Sequence, residues 1–130
     1  MFTHSKKTIL IVEDDAVLLK VLAEKVTSAG FNVITSNDGE KGLATARTEH
    51  PDLILLDIIL PIMDGITMMH TLRKENDWGK MVPIILLTNL AGDDDKIVKA
   101  IAEDEPSYYL VKSNTGLDAV IEKIQAILGA

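Results

Sequence analysis

The sequence predicts an α/β fold, a parallel sheet wound by helices on both faces. Three observations carry that expectation. Five short apolar runs alternate with five stretches of helical character. The connections between them are short, as consecutive right-handed crossovers allow. Two of the runs, Leu53–Leu56 and residues 84–87, are apolar at every position, as in a strand covered on both faces rather than one.

The elements follow in order. Thr8–Val12 is a β-rich run that stops at three acids, Glu13, Asp14 and Asp15. Leu18, Leu22, Val26 and Ala29 recur at helical spacing and end at Gly30, a favourable helix terminus. Residues 31–35 read as a second strand. Asn37, Asp38 and Gly39 open a helix with Leu43 and Ala46 on its apolar side, ending near His50 and Pro51. The third strand leads to Asp57 and a loop closed by Pro61, Asp64 and Gly65. Ile66, Met69 and Leu72 mark the next helix, which is expected to fade over residues 76–79. Residues 83–88 form a fourth strand. Ile97, Val98 and Ile101 begin a helix that runs into the acidic Glu103, Asp104 and Glu105, with Pro106 after them. Residues 107–111 are a fifth strand ending at Lys112, and Leu117, Val120, Ile121, Ile124 and Leu128 make an amphipathic last helix.

With 130 residues, the expectation is a single domain with a sizeable core and no room for an output domain. A formal charge of −7 argues against direct binding to nucleic acid or an anionic membrane surface. The absence of cysteine excludes a disulfide framework, a thiolate metal site and a cysteine nucleophile. No apolar run is long enough to span a membrane, and the start lacks the pattern of a signal peptide, so a cytoplasmic protein is expected.

A parallel sheet puts all strand carboxyl ends on one edge, where open α/β sheets bind ligands. That edge would collect Glu13 and Asp14 from the first strand, Asp57 from the third, Thr88 from the fourth and Lys112 from the fifth. Clustered carboxylates repel one another unless a cation joins them, and Mg²⁺ suits such a set of hard oxygen ligands. Lys112 is a compact charge for a phosphoryl oxygen, and Thr88 a hydroxyl donor to the same anion. The combination fits phosphoryl transfer, with the Asp57 carboxylate as nucleophile. Each residue also has a plainer reading. Asp57 could cap the following helix, the acid triplet could cap the first helix, and a lone lysine or strand-end threonine is commonly structural.

Taken together, five motifs resemble those of response-regulator receiver domains. They are Ile-Leu-Ile-Val-Glu13-Asp14-Asp15, Asp52-Leu-Ile-Leu-Leu-Asp57, Pro61-Ile-Met-Asp64-Gly65, Ile-Ile-Leu-Leu-Thr88 and Tyr109-Leu-Val-Lys112. The resemblance spans about residues 8–128. It implies the flavodoxin-like receiver fold, with strand order 2-1-3-4-5. It implies a two-component phosphorelay in which Asp57 accepts a phosphoryl group from a histidine of a sensor kinase or phosphotransfer protein. Asp14, Asp57 and the Ile59 carbonyl would ligate Mg²⁺ directly, and Glu13 through water. Thr88 and Lys112 would hold the phosphoryl oxygens, and Tyr109 would be an aromatic switch. The face formed by the helix around Val98 and Ile101, the fifth strand and the last helix would contact a downstream protein. The chain would be a monomer or a phosphorylation-dependent dimer, and a switch rather than a turnover enzyme.

The sequence departs from the family pattern at Asn89, where a small residue is usual, and at Leu90, often polar in relatives. It departs again at Ser113, where proline is usual, and at residues 103–107, where a Gly-Ala pair is common. Ile59 and Leu90, both aliphatic, should slow the attack of water on an aspartyl phosphate, with Asn89 able to offset this. A trans bond is expected between Lys112 and Ser113, since a cis bond there costs about 3–4 kcal/mol. Two other functions fit parts of the site. A haloacid-dehalogenase-type phosphatase uses Asp, Thr, Lys and Mg²⁺, but places its nucleophile in an Asp-x-Asp motif on the first strand. A pseudo-receiver would bind partners without chemistry, against which the intact acid, Asp, Thr and Lys set argues.

Overall fold

The structure, a computed structural model, describes residues 6–88, 99, 102–104, 108–111 and 116–129, with side chains outside that set at residues 88 and 108–111. The elements are β1 (Thr8–Val12), α1 (Ala16–Ser28), β2 (Asn32–Ser36), α2 (Gly39–Glu49) and β3 (Leu53–Leu56). They continue with α3 (Gly65–Glu75), α4 (Asp77–Met81), β4 (Ile84–Thr88), β5 (Tyr108–Val111) and α5 (Leu117–Leu128). All strand pairs are parallel, and the sheet order is β2-β1-β3-β4-β5. The fold class and strand order expected from the sequence are those observed.

The uninterrupted apolar strands make sense once both faces are followed. Leu10, Val12, Ile54, Leu56, Ile84 and Leu86 point to one side and pack on Leu43 and Ala46 of α2 and Met68, Met69 and Leu72 of α3. Their neighbours Ile9, Ile11, Leu53, Leu55, Ile85 and Leu87 point to the other, against Leu22 and Val26 of α1 and Val120 and Ile124 of α5. Alternation along a strand thus divides one apolar run between two cores. Every residue of β3 is buried.

Short polar residues start α1, α2, α3 and α4. Asp15 accepts hydrogen bonds from the Val17 and Leu18 amides, Asp38 from Lys41, Asp64 from Thr67 and Asn76 from Gly79. Gly30, at φ +103°, takes the chain out of α1 in a conformation that L side chains rarely adopt.

Several boundaries differ from the expectation. Residues 76–79 do not simply fade. Asn76 turns the chain out of α3 in an extended conformation and caps α4, with its side chain 2.7 Å from the Gly79 amide. Gly79 packs against the Leu72 carbonyl, which leaves no room for a Cβ. The second strand starts one residue later and ends one later than expected. The fourth starts after Pro83, which has no amide to donate. For the expected helix around Val98 and Ile101, the described residues 99 and 102–104 are helical, and Val98 and Ile101 lie outside the described set.

Candidate functional site

Strand register sets the site. Val12 of β1 pairs with Leu56 of β3, so the next residues, Glu13 and Asp57, leave neighbouring central strands side by side at the carboxyl edge. Main-chain bonds fix both: the Asp57 amide donates to the Val12 carbonyl at 3.0 Å, and the Glu13 amide to the Ser36 carbonyl at 3.0 Å. Glu13 and Asp57 are 2% and 6% exposed, whereas Asp14 is open to solvent. One carboxylate oxygen from each of the three lies within 4.8 Å of the others. Two buried acids and a third at the rim, all supplying oxygen, fit a hard divalent cation that retains water on its open side.

Helix capping falls to other acids. Asp15 is the residue of the triplet that caps α1, so Glu13 and Asp14 are not needed for it. Glu13 instead accepts from the Asp15 amide at 3.1 Å, which steadies the turn between strand and helix. Asp57 does not cap the helix that follows, because Asp64 does.

The loop from Asp57 to Asp64 is held by two glycines. A Cβ on Gly65 would run into the Asp57 carbonyl, and the Gly65 amide donates to the Ile58 carbonyl at 2.8 Å. A Cβ on Gly39, at the start of α2, would run into the Met63 carbonyl. The sequence marks Gly65 as a turn residue, but its role is close approach of backbone. Gly39 gives no local sign of serving this loop, since the two meet only in the fold. Within the loop the Met63 amide donates to the Pro61 carbonyl at 2.7 Å around Ile62, whose φ is +70°. That is a tight three-residue turn in a region costly for a β-branched side chain. Ile62 is 74% exposed and Ile59 58%.

Of the other expected site residues, Thr88 ends β4 two residues beyond the Leu56 and Leu86 pairing, at the same edge as Asp57. It pairs with Val111 of β5, and Tyr109 pairs with Leu86. The side chains of Thr88 and Tyr109 lie outside the described set, as do Lys112, Asn89, Leu90 and the Lys112–Ser113 bond.

A family model described as the response regulator receiver domain matches residues 9–125. The chain belongs to the response regulator receiver family. Among curated relatives of this receiver, the probable transcriptional regulator ycf27 of Pyropia yezoensis is 37% identical over 113 residues, covering 78% of the chain and 45% of the relative. The alkaline phosphatase synthesis transcriptional regulatory protein PhoP of Bacillus subtilis is 40% identical over 92 residues, covering 71% and 37%. The receiver therefore spans less than half the length of these relatives. Among solved structures, a CheY-like receiver domain protein from Methanospirillum hungatei aligns with a TM-score of 0.86 at 26% identity, over 96% of this chain and 95% of that one. The receiver domain of sensor histidine kinase PA1611 from Pseudomonas aeruginosa, solved with a magnesium ion in its active-site cleft, aligns with a TM-score of 0.84 at 28% identity, over 97% and 100%. No helix among the described residues is long and apolar enough to cross a membrane.

Proposed function

We propose that this receiver is a phosphorylatable switch in which Asp57 is the phosphoacceptor. The observation that carries the reading is the meeting of Glu13, Asp14 and Asp57 at the ends of the two central strands, two of them buried. A carboxylate oxygen of Asp57 attacks the phosphorus of a phosphohistidine on a sensor kinase or phosphotransfer protein. The O–P bond forms as the N–P bond breaks, and the imidazole leaves with the bonding electron pair. Asp14 and Asp57 would hold Mg²⁺ with the Ile59 carbonyl, and Glu13 would act through water. When bound, the ion neutralises charge on the transferring group. Thr88 and Lys112 are the donors proposed for the phosphoryl oxygens.

The protein is on this reading a switch and not a turnover enzyme. Val17, Ile59 and Ile62 are large apolar side chains exposed on the segments that follow β1 and β3, a surface suited to a phosphodonor protein. The output is proposed to pass through β5, α5 and the segment before them to a downstream protein, with Tyr109 reporting the state of Thr88. Ile59 presents an aliphatic group where a polar one could orient water, which supports slow loss of the phosphoryl group.

The test is incubation with acetyl phosphate and Mg²⁺ followed by intact mass. Wild type should gain one phosphoryl group, and Asp57→Asn none. Equal incorporation by Asp57→Asn would reject Asp57 as the acceptor.

A further inference from the structure

Asp104, in the acidic stretch that departs from the family pattern, is bound to α3 through both its side chain and its main chain. Asp104 is 4% exposed, and His70 Nδ1 lies 3.1 and 3.3 Å from its two carboxylate oxygens. His70 is the carboxylate's hydrogen-bonding partner among the described residues, and its own side chain is half exposed. One turn along α3, Arg73 donates through Nε to the Asp104 carbonyl at 2.8 Å. Its Nη1 donates to the carbonyls of Gly79 at 2.9 Å and Val82 at 2.7 Å. Arg73 thus staples together α3, α4, the entry to β4 and residue 104.

Among the described residues, the other polar contact to residues 102–104 is the exposed ion pair of Lys99 with Glu103, at 4.0 Å. None of the three belongs to either apolar core, and Ala102 and Glu103 are exposed. The described residues that line a cavity of about 230 Å³ beside Asp104 are all charged: Arg73, Lys74, Lys80, Glu103 and Asp104. A buried carboxylate tied to a half-exposed histidine is a contact that can be opened from solvent. Losing His70 would leave a buried carboxylate without that hydrogen bond.

We propose that His70, Arg73 and Asp104 form a latch that holds the approach to β5 against α3. One helix then serves both ends of the switch. Its first residue, Gly65, packs on the Asp57 carbonyl, and His70 and Arg73 hold the chain four residues before β5 begins. The latch keeps β5 in its resting arrangement, and opening it lowers the cost of rearranging that strand. Its link to phosphorylation rests on Asp57 being the phosphoacceptor.

Amide hydrogen exchange reads the latch without phosphorylation. Asp104→Asn keeps the side-chain volume and leaves the main-chain carbonyl for Arg73, and His70→Gln removes the imidazole. Each single variant should speed exchange in residues 108–111 about tenfold while β1 and β3 keep wild-type protection. The double variant should add little to either single, because the pair acts as one contact. Unchanged exchange in residues 108–111, or an equal rise in every strand, would overturn the latch. With acetyl phosphate and Mg²⁺, the latch variants should reach half-maximal phosphorylation at lower acetyl phosphate than wild type. Half-maximal phosphorylation at the wild-type concentration would overturn the regulatory role. A wild type that takes no phosphoryl group would instead remove the reading of Asp57, while the exchange data still decide the latch.

Discussion

Two backbone positions in the loop after Asp57 are under opposite constraints. Gly65 is required by contact: its missing Cβ is where the Asp57 carbonyl passes. Gly65→Ala should destabilise the fold by about 1–3 kcal/mol through forced backbone movement. It should also reduce phosphoryl incorporation more than an equally destabilising core variant such as Ile124→Val. Urea unfolding and intact mass on the same samples would separate the two effects. Ile62 is strained with no return from the core, since it sits at φ +70° and is 74% exposed. Asparagine tolerates that conformation far better, so Ile62→Asn should leave stability unchanged or raise it by up to about 1 kcal/mol. A loss of 1 kcal/mol in urea would show that the Ile62 side chain packs on something that stabilises the free protein.

The elements are joined at their ends by polar contacts whose strength depends on conditions. Arg47 near the end of α2 makes a two-pronged contact with Glu75, the last residue of α3, at 2.7–2.9 Å. The hydrogen bonds and charge of Arg47 hold the Glu75 carboxyl below its ordinary pKa, and Glu75 raises that of Arg47. The folded value of Glu75 is the lower one. Its contribution is therefore complete above the ordinary glutamate pKa of about 4.3 and lost as pH falls through the folded value. Glu75→Gln should lower the urea midpoint slightly at pH 7, and the difference from wild type should vanish as pH falls through the lowered folded value of Glu75. Salt should shrink it at any pH, because the pair lies at the surface. A difference that persists into acid would assign the effect to packing instead. Next to this pair, His50 closes α2 in a left-handed conformation and stacks on Trp78 of α4, with ring centroids 4.1 Å apart. The same contact explains why α4 was hidden in the sequence. Its five residues carry no apolar periodicity, and what fixes them is a cap from Asn76, a ring from α2 and the reach of Arg73.

At the scale of the molecule, the proposed cation site at Glu13, Asp14 and Asp57 predicts that stability depends on divalent cation. Folding gathers three negative charges that the unfolded chain keeps apart. A cation that binds only the gathered form stabilises it by mass action, by about 2.7 kcal/mol at a hundredfold excess over Kd. Mg²⁺ should therefore raise the thermal midpoint of wild type. Asp57→Asn should gain less from Mg²⁺ than wild type, since it removes one of the proposed ligands. A Mg²⁺ response undiminished in both Asp57→Asn and Asp14→Ala would place the cation elsewhere.

The sequence by itself determined the parallel sheet, the alternation of its elements and the edge at which the acids gather. It did so because those features are periodic. Strands covered on both faces must be apolar at each position, and a carboxylate directly after such a run stands at a strand's end. It also marked Glu13, Asp14 and Asp57, since three acids at the ends of two such strands are costly to assemble without a ligand. Only the tertiary structure decided what depends on contact between distant residues. That Asp15 and Asp64 do the capping, releasing Glu13, Asp14 and Asp57 from it, follows from individual hydrogen bonds. That Gly39 serves the Asp57 loop, and that Asp104 is buried against His70, follow from packing across 24 and 34 positions of chain. No local pattern encodes such meetings, because each residue is ordinary where it stands and acquires its role from the surface brought against it.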